Sequence, residues 1–270
     1  MMRKVMKAKT TDPMTLLRDR CLSHFTTLRI PVQPVALDEL LTRAEKENLP
    51  YLSFLDRLLG AEAGARRERA VARRLREAHF PEDKTLEGFD WNFNPKTFNR
   101  AQMEELATGD FIRRRTNFVM VGWSGIGKSH MIQAIGQRAC VHGYRVLYQT
   151  SAQLLADLTA SLADKTLPVR LRHYAKPELL IIDEFGLDKI ERTECPEAAH
   201  LLYKIIASRN QKRSTALVTK VDFDKWGEYL SDGPLAMAFL DRLVEGAIIL
   251  KVKGKSWRAE KAKALENQPD

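Results

Sequence analysis

Gly-Trp-Ser-Gly-Ile-Gly-Lys-Ser, at residues 122–129, matches the pattern G-x-x-x-x-G-K-[ST] at every fixed position. The flanking sequence has the order that this pattern requires, because residues 117–121 are predicted as a short buried strand and residues 130–140 as a helix. Glycines let successive backbone N–H groups turn inward toward an anion, and the helix N-terminus adds a partial positive charge. The stretch therefore predicts a phosphate-binding loop, against the alternative of a Gly-rich turn that binds nothing.

Every residue of this loop is a candidate for binding ATP. Lys128 would reach the β- and γ-phosphates, and the hydroxyl of Ser129 would hold Mg²⁺. The loop consists of Gly122, Trp123, Ser124, Gly125, Ile126, Gly127, Lys128 and Ser129.

A second motif, Glu-Leu-Leu-Ile-Ile-Asp-Glu-Phe-Gly at residues 178–186, runs from four apolar residues straight into two carboxylates. Such a run is typical of a fully buried parallel strand that ends at a ligand site. Asp183 could hold Mg²⁺ through water, and Glu184 could deprotonate a water that attacks the γ-phosphate. Together the two motifs favour nucleoside triphosphate hydrolysis over a solvent-facing Asp-Glu pair.

Further predicted strands alternate with predicted helices, which indicates a parallel sheet with helices on both faces. The strands are residues 145–150, 214–219 and 247–252, and the helices are residues 151–162 (capped by Ser151), 196–209 and 233–243.

Residues 1–84 carry almost no strand signal and are predicted as a small helical domain. Helices are predicted over residues 12–28, 35–47, 51–59 and 65–78. The last of these holds six arginines against two glutamates, beside a narrow apolar stripe of Val71, Leu75 and Ala78. Such a bias favours a helix laid along a DNA backbone over a solvated face. The arginines are Arg66, Arg67, Arg69, Arg73, Arg74 and Arg76.

Residues 85–100 form a connector in which Phe89, Trp91 and Phe93 alternate with polar residues, as in an extended segment with one apolar face. Packing onto the following domain is favoured over base stacking. Residues 101–115 are predicted as one helix that ends in three arginines, which form either a basic binding surface or a solvated end. Residues 101–270 would then be the ATPase domain, with a basic C-terminal tail.

Composition limits the classes of protein that remain. The 270 residues are 29% charged and 44% hydrophobic, without an apolar run of the roughly 20 residues that span a membrane. The basic N-terminus has no apolar stretch after it, and the three cysteines are far apart. We therefore expect a cytoplasmic protein without a membrane partner, and the net charge of +9 permits nucleic-acid binding.

Several stretches in this order resemble the IstB-like ATPases of insertion-sequence transposition and, more distantly, the DnaC helicase loaders, both of the AAA+ group. They are the Arg-rich helix ending Ala-His-Phe-Pro, Lys-Thr-Leu-Glu-Gly-Phe-Asp, the two motifs above, Trp-Gly-Glu-Tyr-Leu and Phe-Leu-Asp-Arg-Leu. The resemblance implies an AAA+ core, ATP-dependent self-association on duplex DNA, and action on a transposase.

The resemblance also implies roles for two arginines and reveals two departures. Arg242 matches an arginine finger that reaches a neighbouring subunit, although pairing with Asp241 or Glu245 is the alternative, and Arg258 matches a phosphate-sensing arginine. The family usually has Thr-Ser-Asn where this chain has Thr-Lys-Val at residues 219–221, and often Pro in place of Trp123. The first departure predicts slow hydrolysis.

Three other functions compete with a transposition factor. A DnaC-like helicase loader would prefer single-stranded DNA, and a nucleotide-gated DNA scaffold would bind ATP but barely hydrolyse it. A small-molecule P-loop kinase is disfavoured by Glu184, by the basic N-terminal domain and by the candidate finger.

Overall fold

The structure is a computed structural model that describes residues 12–186, 197–230 and 232–266. The chain divides into two compact units, residues 1–70 and 71–270. In the described ranges, no helix is both long enough and apolar enough to cross a bilayer.

The first unit is helical, as predicted. Helix α1 spans Pro13–Thr27, α2 spans Pro34–Glu47 and α3 spans Tyr51–Ala78, continuing into the second unit. The Arg18 guanidinium joins α1 to α2 by donating to both carboxylate oxygens of Asp38, each at 2.6 Å, and this hydrogen bonding lowers the pKa of Asp38.

The prediction of separate helices over residues 51–59 and 65–78 was wrong, because α3 is continuous through Gly60 and Gly64. A glycine inside a helix costs only about 1 kcal/mol relative to alanine. The Ala, Arg, Glu and Leu residues around these two glycines are strong helix formers and maintain the helix.

The second unit is built on a five-stranded sheet with the order β2-β3-β4-β1-β5. All neighbouring strands pair in parallel, which confirms the predicted parallel sheet. The strands are β1 (Phe118–Gly122), β2 (Val146–Thr150), β3 (Leu179–Phe185), β4 (Ser214–Thr219) and β5 (Ile248–Val252).

Helices cover both faces of this sheet, as predicted for an AAA+ P-loop fold. Alternate residues of β1 point to opposite faces, so Phe118 and Met120 enter one buried cluster and Val119 and Val121 the other. The helices are α4 (Arg100–Ala107), α5 (Asp110–Arg113), α6 (Lys128–Val141), α7 (Ser151–Ala163), α8 (Leu167–Ala175), α9 (Ala198–Arg209), α10 (Trp226–Tyr229), α11 (Gly233–Val244) and α12 (Trp257–Glu266).

Three further local predictions were wrong. Residues 101–115 form two helices, α4 and α5, because Gly109 has a φ of 78° and lies so close to Tyr144 that a Cβ there would be 2.6 Å from the ring. The cap of α7 is Thr150, which accepts from the Gln153 N–H at 3.2 Å in a capping box, so Ser151 is the first helical residue. The predicted helix start at Pro196 lies outside the described residues.

The third error concerns the connector, which forms successive turns and is not extended. The Asp90 carboxylate accepts the N–H groups of Asn92 at 3.0 Å and Phe93 at 3.3 Å, which holds one turn. Phe89 and Trp91 nevertheless pack against the core cluster under α6, so the predicted packing is confirmed.

Candidate nucleotide-binding site

The two sequence motifs meet in one cavity of about 430 Å³. Residues 124–130, 183–185 and 218–220 line it, and they follow or end β1, β3 and β4. These three strands are neighbours, so their carboxyl ends lie at one edge of the sheet, where parallel α/β folds bind ligands.

Two glycines of the loop adopt conformations that a side chain would disturb. Gly125 has a φ of 80° and Gly127 a φ of 99°. A Cβ on Gly125 would lie 2.1 Å from the Ser256 hydroxyl, and one on Gly127 would lie 2.8 Å from the Phe89 ring. Both positions therefore need glycine for backbone conformation and for space.

Lys128 begins α6 and turns its ammonium group back onto the loop. Its Nζ donates to the carbonyl oxygens of Gly122 at 2.7 Å and Trp123 at 2.6 Å. Burial lowers the pKa of Lys128 to about 8; the Asp183 carboxylate opposes this effect, and Arg258 adds to it. The lysine is thus a buried cation at the cavity wall, and nucleotide phosphates would compete with two carbonyls for it.

Asp183, near the end of β3, has no solvent-accessible surface in this structure. Its Oδ2 accepts the hydroxyl of Tyr148 at 2.8 Å, and its Oδ1 accepts the N–H of Glu184 at 2.7 Å. Burial first, and the neighbouring carboxylate second, raise the pKa of Tyr148, so its hydroxyl is a proton donor at neutral pH. The sequence did not predict this role of Tyr148, because nothing in its short strand indicates a polar partner for the hydroxyl.

Glu184 is exposed to the cavity, unlike its buried neighbour. Its φ of 60° is uncommon for a residue with a side chain, and the pairing of β3 with β4 is shifted between Ile182 and Phe185. In a regular strand, the side chains of neighbouring residues point to opposite faces of the sheet. The irregularity interrupts this alternation, so the buried Asp183 and the accessible Glu184 both line the same cavity.

The oxygen ligands at this cavity suit Mg²⁺. Ser129 and Asp183 both line it and offer a hydroxyl and a carboxylate, which are hard donors. Within the described ranges, no group of three or more His, Cys, Asp or Glu side chains could hold a metal ion. Magnesium that is bound together with a nucleotide needs only one or two protein ligands, because phosphates and water supply the others. These residues therefore fit Mg²⁺ that enters with a nucleotide.

The connector and the C-terminal segment also line the cavity, and the sequence predicted this only for Arg258. Phe89, Phe93 and Asn94 contribute from the connector, and Trp257 and Arg258 from the start of α12. The aromatic residues of the connector are the available signal for this wall, although their alternation alone predicts only packing or base stacking.

Hydrogen bonds hold these two segments beside the phosphate loop. The Asn94 side chain accepts the Lys255 N–H at 3.0 Å and donates to the Lys255 carbonyl at 2.8 Å. The Trp257 N–H then donates to the Gly125 carbonyl at 2.9 Å, and its ring meets Phe93 edge-on at 4.7 Å. Arg258 thereby lies at the mouth of the loop.

At the end of β4, residues 219–221 are Thr-Lys-Val, where the resemblance implies Thr-Ser-Asn. The Thr219 hydroxyl donates to the Phe185 carbonyl at 3.0 Å and accepts the Val221 N–H at 2.9 Å, so its polar capacity is used within the protein. Lys220 is exposed and lines the cavity, whereas the Val221 side chain packs toward Gly186. An apolar group thus stands where the resemblance implies an amide.

Arg242 lies away from this cavity, near the end of α11. Asn117, just before β1, donates to the Leu243 carbonyl at 3.0 Å, which places this turn at the amino end of β1 and the phosphate loop at the other end. The Arg242 side chain is exposed, and none of the ion pairs among the described residues includes it. The alternative of pairing with Asp241 or Glu245 is therefore wrong for this structure.

The six arginines predicted to contact DNA all lie on α3. Five are exposed, and Arg74 is partly buried. Arg69 pairs with Glu62 at 2.6 Å.

Two predicted residues of the phosphate loop, Gly122 and Trp123, do not line the cavity, and Trp123 is 70% exposed.

The site combines a phosphate loop between β1 and α6 with an Asp-Glu pair on β3. This combination defines a P-loop nucleotide-binding protein of the AAA+ type. The chain belongs to the IstB-like ATP binding protein family, which matches residues 23–264.

Curated relatives agree with this assignment. The chain is 34% identical over 255 residues to a protein named as an ATP-binding protein of insertion sequence IS5376 from Geobacillus stearothermophilus, covering 94% of this chain and all of the relative. It is 36% identical over 229 residues to the corresponding IS21 protein of Pseudomonas aeruginosa, covering 84% of each.

Solved structures confirm the fold. DnaI aligns with a TM-score of 0.52 at 18% identity, covering 67% of this chain and 93% of that chain. Replication initiator DnaA bound to AMPPCP and single-stranded DNA aligns with a TM-score of 0.51 at 20% identity, covering 69% and 56%. At such identities the likeness concerns the fold alone.

Proposed function

We propose that this protein is a cytoplasmic ATPase that oligomerises on duplex DNA and there recruits or activates a transposase. The observation that carries the proposal is the convergence of Lys128, Ser129, Asp183 and Glu184 on one cavity. Membership of a family whose relatives are named for insertion sequences supports the transposase as partner.

The residues of the cavity support hydrolysis of ATP. Lys128 and the loop N–H groups would bind the β- and γ-phosphates, and Ser129 and Asp183 would hold Mg²⁺. Bound Mg²⁺ would neutralise phosphate charge. Glu184 is the accessible carboxylate, so it is the group that can take a proton from an attacking water.

The position of Arg242 supports self-association. β1 separates its turn from the phosphate loop of the same chain, and five strand residues span about 16 Å. The exposed guanidinium would instead act on the nucleotide of a neighbouring subunit, as an arginine finger supplied in trans does. Turnover would then depend on assembly.

The exposed arginines of α3 support DNA binding. Arg66, Arg69, Arg73 and Arg76 follow one another at spacings of three and four residues, so they form a stripe along one side of the helix, about 15 Å long. We call these four residues the arginine stripe. The apolar residues Val71 and Leu75 lie on the other side, so the stripe faces away from them. Arg69 is paired with Glu62, and this pair would have to open for Arg69 to contact a phosphate.

The decisive measurement is the ATPase rate of the full chain with and without duplex DNA. We expect slow turnover alone and faster turnover with duplex DNA, with a dependence on protein concentration steeper than first order. A rate that duplex DNA leaves unchanged, together with phosphorylation of a nucleoside or sugar, would favour the kinase. A response to single-stranded DNA alone would favour the helicase loader.

DNA binding is tested by replacing the four residues of the arginine stripe with alanine. The affinity for all duplexes should fall about equally, and the slope of log affinity against log salt should decrease by up to about one unit per lost phosphate contact. ATP binding should survive.

The matched control replaces Arg100, Arg113, Arg114 and Arg145, which are exposed and ion-paired, and so changes the net charge equally. It should bind DNA almost as the parent does. The opposite ranking of the two variants would show that this side of α3 is a solvated face and would move the DNA site to the surface that carries the control arginines.

A nucleotide-gated scaffold remains the second candidate, because one observation favours it. Thr219 is engaged with the backbone and Val221 is apolar, so this segment offers no amide to orient the attacking water. ATP-dependent DNA binding without measurable turnover, even at saturating DNA, would identify the scaffold.

A further inference from the structure

Tyr148 and Asp183 form a buried polar pair between two strands of the sheet. Tyr148, on β2, is 5% exposed, and Asp183, on β3, is fully buried. The hydroxyl donates to Oδ2 at 2.8 Å, while Oδ1 accepts the Glu184 N–H at 2.7 Å. Because each carboxylate oxygen accepts one hydrogen bond, the plane of the carboxylate group is fixed. The remaining lone pairs of the two oxygens therefore point in fixed directions.

The tyrosine ring is itself held in place. It belongs to the core cluster under α6, and its centroid lies 5.8 Å from that of Phe80. A buried hydroxyl needs a partner, and hydrogen bonds to a charged acceptor are stronger than those between neutral groups. The ring is therefore a rigid support for the carboxylate.

We propose that Tyr148 is a positioning residue, whose hydroxyl holds Asp183 in the orientation that receives the Mg²⁺ of a bound nucleotide. This inference rests on the proposed function, because it needs a nucleotide–metal complex at Asp183. Partners that orient a metal-binding side chain commonly change metal affinity by about 10- to 100-fold when removed.

The chain provides a matched control in Tyr174. This tyrosine is 2% exposed, and its hydroxyl donates to Oδ2 of Asp157 at 2.9 Å. Asp157 also pairs with Arg170, and neither Tyr174 nor Asp157 lines the cavity. Tyr174→Phe thus removes a tyrosine–aspartate hydrogen bond of similar length, with a more exposed acceptor, away from the site.

The experiment compares Tyr148→Phe and Tyr174→Phe with the parent, by binding of a fluorescent ATP analogue to the full chain in EDTA and during a Mg²⁺ titration. For Tyr148→Phe we expect unchanged affinity in EDTA and about a tenfold or greater rise in the Mg²⁺ concentration at half-effect. Tyr174→Phe should match the parent in both. Unchanged binding in EDTA also reports that each variant is folded.

A double-mutant cycle with Asp183→Asn tests whether Tyr148 acts through Asp183. In the Asp183→Asn background, Tyr148→Phe should cause no further change in Mg²⁺ dependence, and this pair of variants stays informative if Tyr148→Phe alone folds poorly. An unchanged Mg²⁺ half-effect in Tyr148→Phe, or an equal rise in Tyr174→Phe, overturns the proposal and leaves the ATP site intact. A parent protein that binds the nucleotide without any Mg²⁺ effect overturns the metal role of Asp183 as well.

Discussion

The affinity for ATP should fall as the pH rises through 8, because Lys128, which we propose binds the phosphates, titrates there. The pKa of Lys128 is about 8 in the nucleotide-free protein, well below its ordinary value of 10.5, chiefly because burial disfavours the charged form. Only the ammonium form attracts phosphates. Bound phosphates raise the pKa again, so the number of protons taken up on binding increases gradually with pH and passes one half near pH 8.

The size of the effect follows from this one pKa. At pH 7 about nine tenths of Lys128 is protonated in the free protein, and at pH 9 about one tenth is. If the pKa in the complex lies well above 9, the apparent affinity weakens about tenfold between these pH values, or about 1.4 kcal/mol.

The assay is equilibrium binding of a fluorescent ATP analogue between pH 7 and 9, in EDTA so that Mg²⁺ ligands do not contribute. Lys128→Arg is the control, because a guanidinium stays protonated throughout and should abolish the pH dependence whatever its affinity. Lys128→Ala should abolish productive binding at every pH. A parent affinity that is flat from pH 7 to 9, or that changes as much as in Lys128→Arg, would refute the reasoning.

Glu184→Gln should lower ATP turnover by about 10²- to 10⁴-fold and trap an ATP-bound assembly on DNA, since it removes the general base but keeps the size of the side chain; turnover at the parental rate would exclude Glu184 as the base. Arg242→Ala should leave nucleotide binding by the subunit intact and abolish ATP-dependent assembly or turnover, and mixing it with Glu184→Gln subunits should restore part of the activity if the arginine acts in trans. Arg209→Ala should reduce the free energy of unfolding, measured with urea, by at least about 3 kcal/mol, because it removes the buried guanidinium that donates to the carbonyl groups of Tyr174 and Ser214; a loss below about 1 kcal/mol would contradict this.

Much of the second unit could be predicted because its signals are local. The loop at 122–129 fixes the order strand, loop and helix, and the apolar run before Asp183 marks a central parallel strand. The breaks were harder to predict. The end of α4 near Gly109 depends on the Tyr144 ring, which is distant in sequence. The spacing of apolar residues within one segment carries no information about a ring that comes from a distant part of the chain.

The walls of the site show the same limit. Asn94 binds the backbone of Lys255 across 161 residues of sequence, and this contact brings Arg258 to the phosphate loop. In the sequence, Tyr148 is one residue of a short strand with no polar partner in view. Only the structure shows that its hydroxyl donates to Asp183 on the neighbouring strand. Pairing between strands brings these groups together, so single-segment patterns cannot predict them.

If the proposed roles hold, the distribution of groups between the two edges of the sheet would separate ATP binding from ATP hydrolysis. Lys128 and Asp183 are buried and held by hydrogen bonds within one chain, so a single subunit can prepare a nucleotide site. Arg242 lies at the opposite edge, and the apolar side chain of Val221 would bring no amide to an attacking water. A subunit that lacks both contributions would bind ATP faster than it hydrolyses it. We infer that ATP would persist until assembly on DNA brings a neighbouring arginine to the phosphates, so hydrolysis would follow assembly.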